Sequence, residues 1–384
     1  MMSVLSVENY GEFSFFYSIA SVVPFFLNLG IDTSLITITS KIENHEKYLN
    51  YLGLYWRLKF VLIGIGVLMA LSYMLIVGNE LIFLSLMAGI TFGFSDCFKP
   101  PAEARKKFNF VSLTLPLRNT FLLLLCGILY WLGYIDVYVF IYCMIGANVL
   151  RIVTIYFLYV RKIAPLELKT SLKFGDLFVF LKWIFTKDLL ITFVAQLEVL
   201  ILGQLVLHEI VPKAELGYYS GAFTLSMVLS LVTNSLTSIL LPEVAGKDDV
   251  KSLQSFIVKL FKSMLFVVPV CVVFYFIITA FVQFGFGEKY EASIPLFPII
   301  ILGTIFAFYA NNISLIFYRK DRLFFLVLIT FLKLVLGVIL SFILIPIYGS
   351  WGAAISFLMV RIFDFITVAI KARLSLHKES ISTY

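Results

Sequence analysis

Eleven apolar runs, each long enough to cross a bilayer, fill most of this 384-residue sequence. A helix needs roughly 20 apolar residues to span the hydrocarbon core. Runs of that length fall near 12–39, 51–77, 79–98, 110–132, 135–160, 176–207, 215–243, 255–283, 293–318, 322–346 and 349–370. Connections such as Gly78-Asn79-Glu80 and Gly133-Tyr134-Ile135-Asp136 are too short to hold a soluble domain, so the chain must work through its helices. With 61% hydrophobic and 14% charged residues, the composition excludes a soluble domain and predicts an all-α polytopic membrane protein. Residues 1–10 carry no Lys or Arg and no small-residue cleavage site follows, so the first run reads as a retained helix rather than a removable leader. Cys97, Cys126, Cys143 and Cys271 all lie in apolar runs without CxxC spacing. They read as small core residues, with no metal site and no disulfide framework.

Basic residues sort the loops onto two sides. Of the 30 Lys and Arg residues, 22 fall in one set of alternate loops, at Lys41–Lys59, Lys99–Lys107, Arg161–Lys173, Lys247–Lys262, Arg319–Arg322 and Lys371–Lys378. The opposite set holds only Lys213 and Lys289. The positive-inside rule then makes the first set cytoplasmic, with the N-terminus outside and the C-terminus inside. The net charge of +7 is thus a topology signal, and no nucleic-acid partner is expected.

A shift of 206 lays ENYGEFSFFYSIASVVPFFLNLGIDTSLITITSK on AELGYYSGAFTLSMVLSLVTNSLTSILLPEVAGK. Gly11 then meets Gly217, Ser14 meets Ser220, Asn28 meets Asn234 and Lys41 meets Lys247. VLRIV and MVRIF likewise place Arg151 and Arg361 in the last helix of each half. Parallel repeats are a known transporter plan. They predict an N-terminal lobe over 1–163 with five helices and a C-terminal lobe over 164–384 with six, joined around Pro165. A helix, 176–207, precedes the AELGYYS loop, so a matching helix is expected ahead of ENYG, making twelve in the full plan.

At this point the residues resemble a known family. ENYGEFSFFYSIASVVPFFLNLGIDTSLI is similar to the opening outer loop and second helix of the O-antigen and polysaccharide flippases, within the multidrug/oligosaccharidyl-lipid/polysaccharide exporter superfamily. LGYYSGAFTLSMVLSLVTNSLTSILLPEVA, FGEKYEASIPLFPIIILGTIFAFYANN and IPIYGSWGAAISFLMVR resemble further stretches of it. The resemblance implies a MATE-like fold of two parallel-repeat lobes in the bacterial inner membrane. It also implies a carrier that flips an undecaprenyl-diphosphate-linked oligosaccharide by alternating access, with ion coupling and no cofactor. Membrane lipid, a polysaccharide polymerase and a chain-length regulator are the implied partners. The family carries at least twelve helices, the first of them ahead of the YG loop, which is the helix the repeat also calls for.

Ionisable residues at membrane depth are costly and usually face a cavity. Six basic residues fall within the helical runs: Arg118, Arg151, Lys182, Lys187, Lys333 and Arg361. Arg151 and Lys182 sit near helix ends and read as snorkelling. Lys333 lies about eleven residues into its run, roughly 16 Å at the helical rise, with no polar neighbour expected in reach. Arg361 has Asp364 three residues on and on the same face, which reads either as a self-neutralising pair or as a headgroup or coupling site. Arg118, beside Pro116, is a further lumen position. Lys187 and Glu198, eleven residues apart, share a face. A carboxylate such as Glu198 can exchange a proton or sodium ion, and it falls where relatives in the resembled family often carry an acid. Asp364 and Asp188 are further ion-coupling positions, while Asn28 and Asn234 can donate to a headgroup or bond between helices.

Other classes fit less well. A membrane-embedded polymerase or ligase needs catalytic groups on a sizeable outer loop, and His45, His208 and His377 do not supply them. No GxxxxGKS phosphate loop is present, which disfavours ATP-driven transport. A drug/cation antiporter of the same superfamily is the nearer alternative, and an inactive truncated relative is the third.

Overall fold

The computed structural model describes residues 5–40, 42, 44–134, 136–157, 170, 182–245, 250–319 and 323–382. Among these the regular structure is entirely helical. The chain divides into two compact units, Phe16–Thr192 and Met1–Phe15 with Phe193–Tyr384. The connection around Arg161 and Pro165 lies outside the described residues.

Helix α1 (Val7–Asn28) enters the first unit at Phe16 and gives way there to α2 (Ile31–Thr39). The expected single span over 12–39 is therefore broken. Leu29 and Gly30 both adopt positive φ, 45° and 74°, a conformation that glycine reaches freely and leucine only under constraint. The Asn28 side chain then accepts from the Asp32 amide at 3.1 Å, satisfying a donor at the start of α2. Helix α3 (His45–Val77) is capped by Asn44, whose Oδ1 accepts from the Lys47 amide, and ends on Gly78 at φ 72°. Asn79 at once caps α4 (Glu80–Asp96) through the Ile82 amide. A left-handed glycine followed by a capping asparagine explains how two spans join with so little chain between them. The short α5 (Lys99–Ala104) leads into α6 (Phe108–Trp131), and Asp136 caps α7 (Val137–Ile155). Helix α4 packs on α3 and α7, and α6 on α7. Tyr48, Leu52, Tyr55, Trp56 and Phe98 form the buried centre of one cluster.

Helix α8 (Lys182–Leu207) passes from the first unit into the second at Phe193, and α9 (Lys213–Ala245) precedes an amphipathic helix, α10 (Val250–Lys262). The run expected at 255–283 thus changes helix at Ser263, before α11 (Met264–Gly285). A 3₁₀ segment (Gly287–Leu296) leads to α12 (Phe297–Ser314). The two runs expected at 322–346 and 349–370 are the halves of one long helix, α13 (Leu323–Ser382), broken at Gly349 with φ 55° and ψ −127°. The Glu215 carboxylate accepts from the Ser350 amide at 2.8 Å, restarting the helix as a cap would. Helix α12 lies along α13 and also against α9. Leu253, Phe256 and Leu260 of α10 bury their face with Tyr309, Phe317 and Val368. Cys97, Cys126, Cys143 and Cys271 are free.

Candidate functional site

Among its described residues the first unit holds three buried cations, Lys59, Arg118 and Arg151. Lys59, which the loop count placed at the cytoplasmic edge, is instead 2% exposed inside α3. Its ammonium sits 2.8 Å from Asp32 Oδ1 and donates to Asn28 Oδ1 at 3.2 Å. The break between α1 and α2 is what turns Asn28 and Asp32 toward α3. The Tyr55 hydroxyl lies 3.0 Å from the same Asp32 oxygen and 2.7 Å from the Cys97 carbonyl.

Arg151 is fully buried, so the expected snorkelling to the interface does not occur. Its guanidinium donates to Ser95 Oγ at 2.9 Å and to Asp96 Oδ1 at 2.7 Å, fixing α7 against the end of α4. Lys99 reaches the same Asp96 oxygen at 2.9 Å. A side chain with partners on the neighbouring helix has no reason to reach for the interface.

Arg118 is solvated differently. Its Nε donates to Asn148 Oδ1 at 3.1 Å, and its guanidinium lies over the Phe92 ring at 4.5 Å. Tyr17 also bonds to it. The Asn148 amide nitrogen points the other way, toward the Thr91 hydroxyl and Ala88 carbonyl. Among the described residues Arg118 has no carboxylate at ion-pair distance. Ten residues into α6, or about 15 Å along it, it is a cation held by neutral groups. This leaves it able to accept an anionic partner.

The second unit holds a mixed cluster. Lys333 donates to Asp364 Oδ2 at 2.8 Å across the two halves of α13. This corrects two expectations: Lys333 does have a polar neighbour, and Asp364 pairs with it instead of with Arg361. The i, i+3 spacing of Arg361 and Asp364 could not reveal a competitor 31 residues away in sequence. Arg361 turns to Phe357, lying over its ring at 4.9 Å, and its Nε is buried without a hydrogen-bond partner. Glu198, 3% exposed on α8, lies in the field of Arg361, and both act on the buried Tyr219 hydroxyl. Tyr219 stacks on Phe223, which meets Phe357 edge-on, so an aromatic wall closes the cluster. Gly337 and Gly303 let the helices approach, since a Cβ there would lie 2.5 Å from Leu197 and 2.6 Å from Phe357.

Lys187 is half-buried on α8. The side chains of Asp188 and Asn234 lie outside the described residues. Asp32 and Asp96, which the sequence reading set near the inner boundary and left open between interfacial solvation and function, are the carboxylates paired with Lys59 and Arg151. Asn148 and Tyr219 escaped that reading, and the only local signal for Asn148 was its i, i+3 relation to Arg151.

A family profile described as polysaccharide biosynthesis protein matches residues 1–295. The chain belongs to this family. No curated protein gave a match. The fold of this polysaccharide biosynthesis protein is similar to that of a multidrug resistance MATE family transporter in an inward-facing conformation. The TM-score is 0.72 at 13% identity, covering 100% of this chain and 98% of the other. It is also similar to the lipid II flippase MurJ in an inward closed conformation, with a TM-score of 0.67 at 13% identity over 98% and 87% of the two chains. The Vibrio cholerae MATE transporter VcmN in its bent form gives 0.58 at 14% identity over 99% and 96%. At these identities the likeness fixes the fold: an all-α, MATE-like, multi-pass membrane protein with two repeat lobes.

Proposed function

We propose that this polysaccharide biosynthesis protein is a carrier, not an enzyme, and that it flips a polyprenyl-diphosphate-linked oligosaccharide across the bacterial inner membrane, with its C-terminus cytoplasmic. The observation that carries the reading is Arg118, a mid-helix guanidinium held by Asn148 and Phe92 without a carboxylate partner among the described residues. A buried cation is costly, and a diphosphate is the partner that its donor geometry suits. Family membership and the MurJ-like fold support the same substrate class. The repeat lobes, 1–163 and 164–384, would rock in an alternating-access cycle, and Glu198 and Asp364 would couple it to an ion. Lys333, Arg361, Lys187, Asn28 and Asn234 are further lumen positions in this reading, while polymerase and chain-length regulator would receive the flipped unit.

The test is flipping of a fluorescent undecaprenyl-diphosphate saccharide in proteoliposomes, read by access of an external quencher. Arg118→Gln should abolish flipping while the variant remains monodisperse, and Arg118→Lys should retain part of it. Unimpaired flipping by Arg118→Gln would remove the basis of the proposal.

A second reading, a drug/cation antiporter, is favoured by one observation: the buried carboxylate of Glu198 beside an aromatic wall. Uptake of a lipophilic cation against an imposed gradient, lost in Glu198→Gln and intact in Arg118→Gln, would select it.

A further inference from the structure

A cavity of about 340 Å³ opens between α6 and α7, lined by Phe110, Leu113, Thr114, Pro116 and Thr120 of α6 and Thr154 of α7. Three threonines make this wall polar in sequence, but in the fold it is apolar. Thr114 donates its hydroxyl to the Val111 carbonyl, Thr120 to Pro116 and Thr154 to Leu150, at 2.8–2.9 Å. Each hydroxyl is thus turned onto its own helix. Pro116 cannot donate to the Ser112 carbonyl, which loosens the turn at the centre of the groove. Leu113 is 56% exposed, so the groove opens laterally on the apolar surface of the unit.

The N-terminal end of α6, next to Phe110 of the groove lining, is basic in sequence. Lys106 and Lys107 precede α6 and are both exposed. Bonds from the Lys106 amide to the Glu103 carbonyl and from the Lys107 amide to the Ala102 carbonyl, each 2.9 Å, hold them in a fixed turn. Glu103, the acid nearest to them in sequence, lies in the field of Lys99. From Phe110 to Thr120 the groove runs ten residues, about 15 Å along the helix, which is the depth of one leaflet's hydrocarbon.

An apolar slot one leaflet deep, with two cations at its headgroup end, has the chemistry of an anionic phospholipid. We infer that the α6–α7 groove is a binding site for one anionic phospholipid of the cytoplasmic leaflet, its acyl chain along Pro116 and its phosphate on Lys106 and Lys107. Basic pockets between helices on that side bind anionic headgroups by this charge pairing. The inference needs only the membrane fold and the sidedness of the lysines. It does not depend on what the protein carries.

The test is native mass spectrometry of the full chain released from nanodiscs of equal parts phosphatidylglycerol and phosphatidylcholine. The wild type should retain one phosphatidylglycerol in preference to phosphatidylcholine. The double variant Lys106→Gln/Lys107→Gln should lose that preference, and Thr154→Trp, which fills the groove, should lose the bound lipid. Lys371→Gln/Arg373→Gln, exposed on the second unit, should leave retention unchanged. Equal retention of both lipids by the wild type overturns the inference without recourse to any variant. So does displacement of phosphatidylglycerol by equimolar undecaprenyl phosphate, which would make the groove a site for the prenyl chain, or capture of a partner helix there in its place.

Discussion

Gly11 and Gly217, superposed by a shift of 206 in sequence, meet backbone to backbone in the fold. A Cβ on Gly11 would lie 2.5 Å from the Gly217 nitrogen and 3.0 Å from its Cα. Each repeat contributes the same glycine to one crossing, beside the bond from the Tyr10 hydroxyl to Thr224 Oγ1 at 3.1 Å. Backbone has no rotamer with which to yield. Gly217→Ala should therefore cost about 1–3 kcal/mol, seen as a lowered melting temperature in detergent. Gly64→Ala, where an added methyl meets nothing within 4 Å, should be neutral or slightly stabilising.

The Lys333–Asp364 pair offers a double-mutant test. Lys333→Met leaves a buried carboxylate alone and should destabilise by about 3–5 kcal/mol. Adding Asp364→Leu should recover most of the loss, because two apolar side chains need no counter-charge. If the double variant folds well yet does not transport, the pair belongs to the transport cycle. Full transport by the double variant would make it purely structural.

Glu198→Gln keeps the shape and hydrogen-bonding capacity of a side chain next to Arg361 and Tyr219 while removing its charge. Transport driven by an imposed proton or sodium gradient should fall to the ungated level, whereas lipid binding should persist. A full gradient response in this variant would clear Glu198 of any coupling role.

Glu215→Ala removes the acceptor of the Ser350 amide at the break in α13. The expected cost is about 1 kcal/mol, the usual value of a helix cap. Amide exchange at Ser350 should quicken in the variant, with Gly349 still forming the break. Unchanged exchange would mean that water replaces the carboxylate without loss.

Spans and breaks were legible in the sequence to different degrees. Apolar length alone located the helices, and the division between the runs 322–346 and 349–370 fell beside the break at Gly349. The break at Leu29–Gly30 was hidden inside an unbroken apolar run, although an Asn-Leu-Gly sequence lay across it. Residue depth singled out Arg118, Lys333 and Arg361 as buried charges. It could not name their partners: Asn148 is 30 residues from Arg118, and Asp364 is 31 from Lys333. Helical periodicity relates residues of one helix, and each of these pairings crosses between helices or helix halves. Lys59 was misplaced for a related reason. Its helix begins at His45, before the apolar run, so a residue counted as loop is held two turns further in by Asp32.

Asp96 serves two cations through a single oxygen, whereas Asp364 serves one. That difference should surface in suppressor genetics. An Asp364 lesion leaves one orphan charge, and a single second-site change at Lys333 can cancel it. An Asp96 lesion leaves the fully buried Arg151 with Ser95 alone and also takes a partner from Lys99, so no one-step change other than restoration of the acid recovers both contacts. Asp96 should be intolerant in any saturation screen even where its neighbours drift, and the acid should outlast either base in the lineage of this chain.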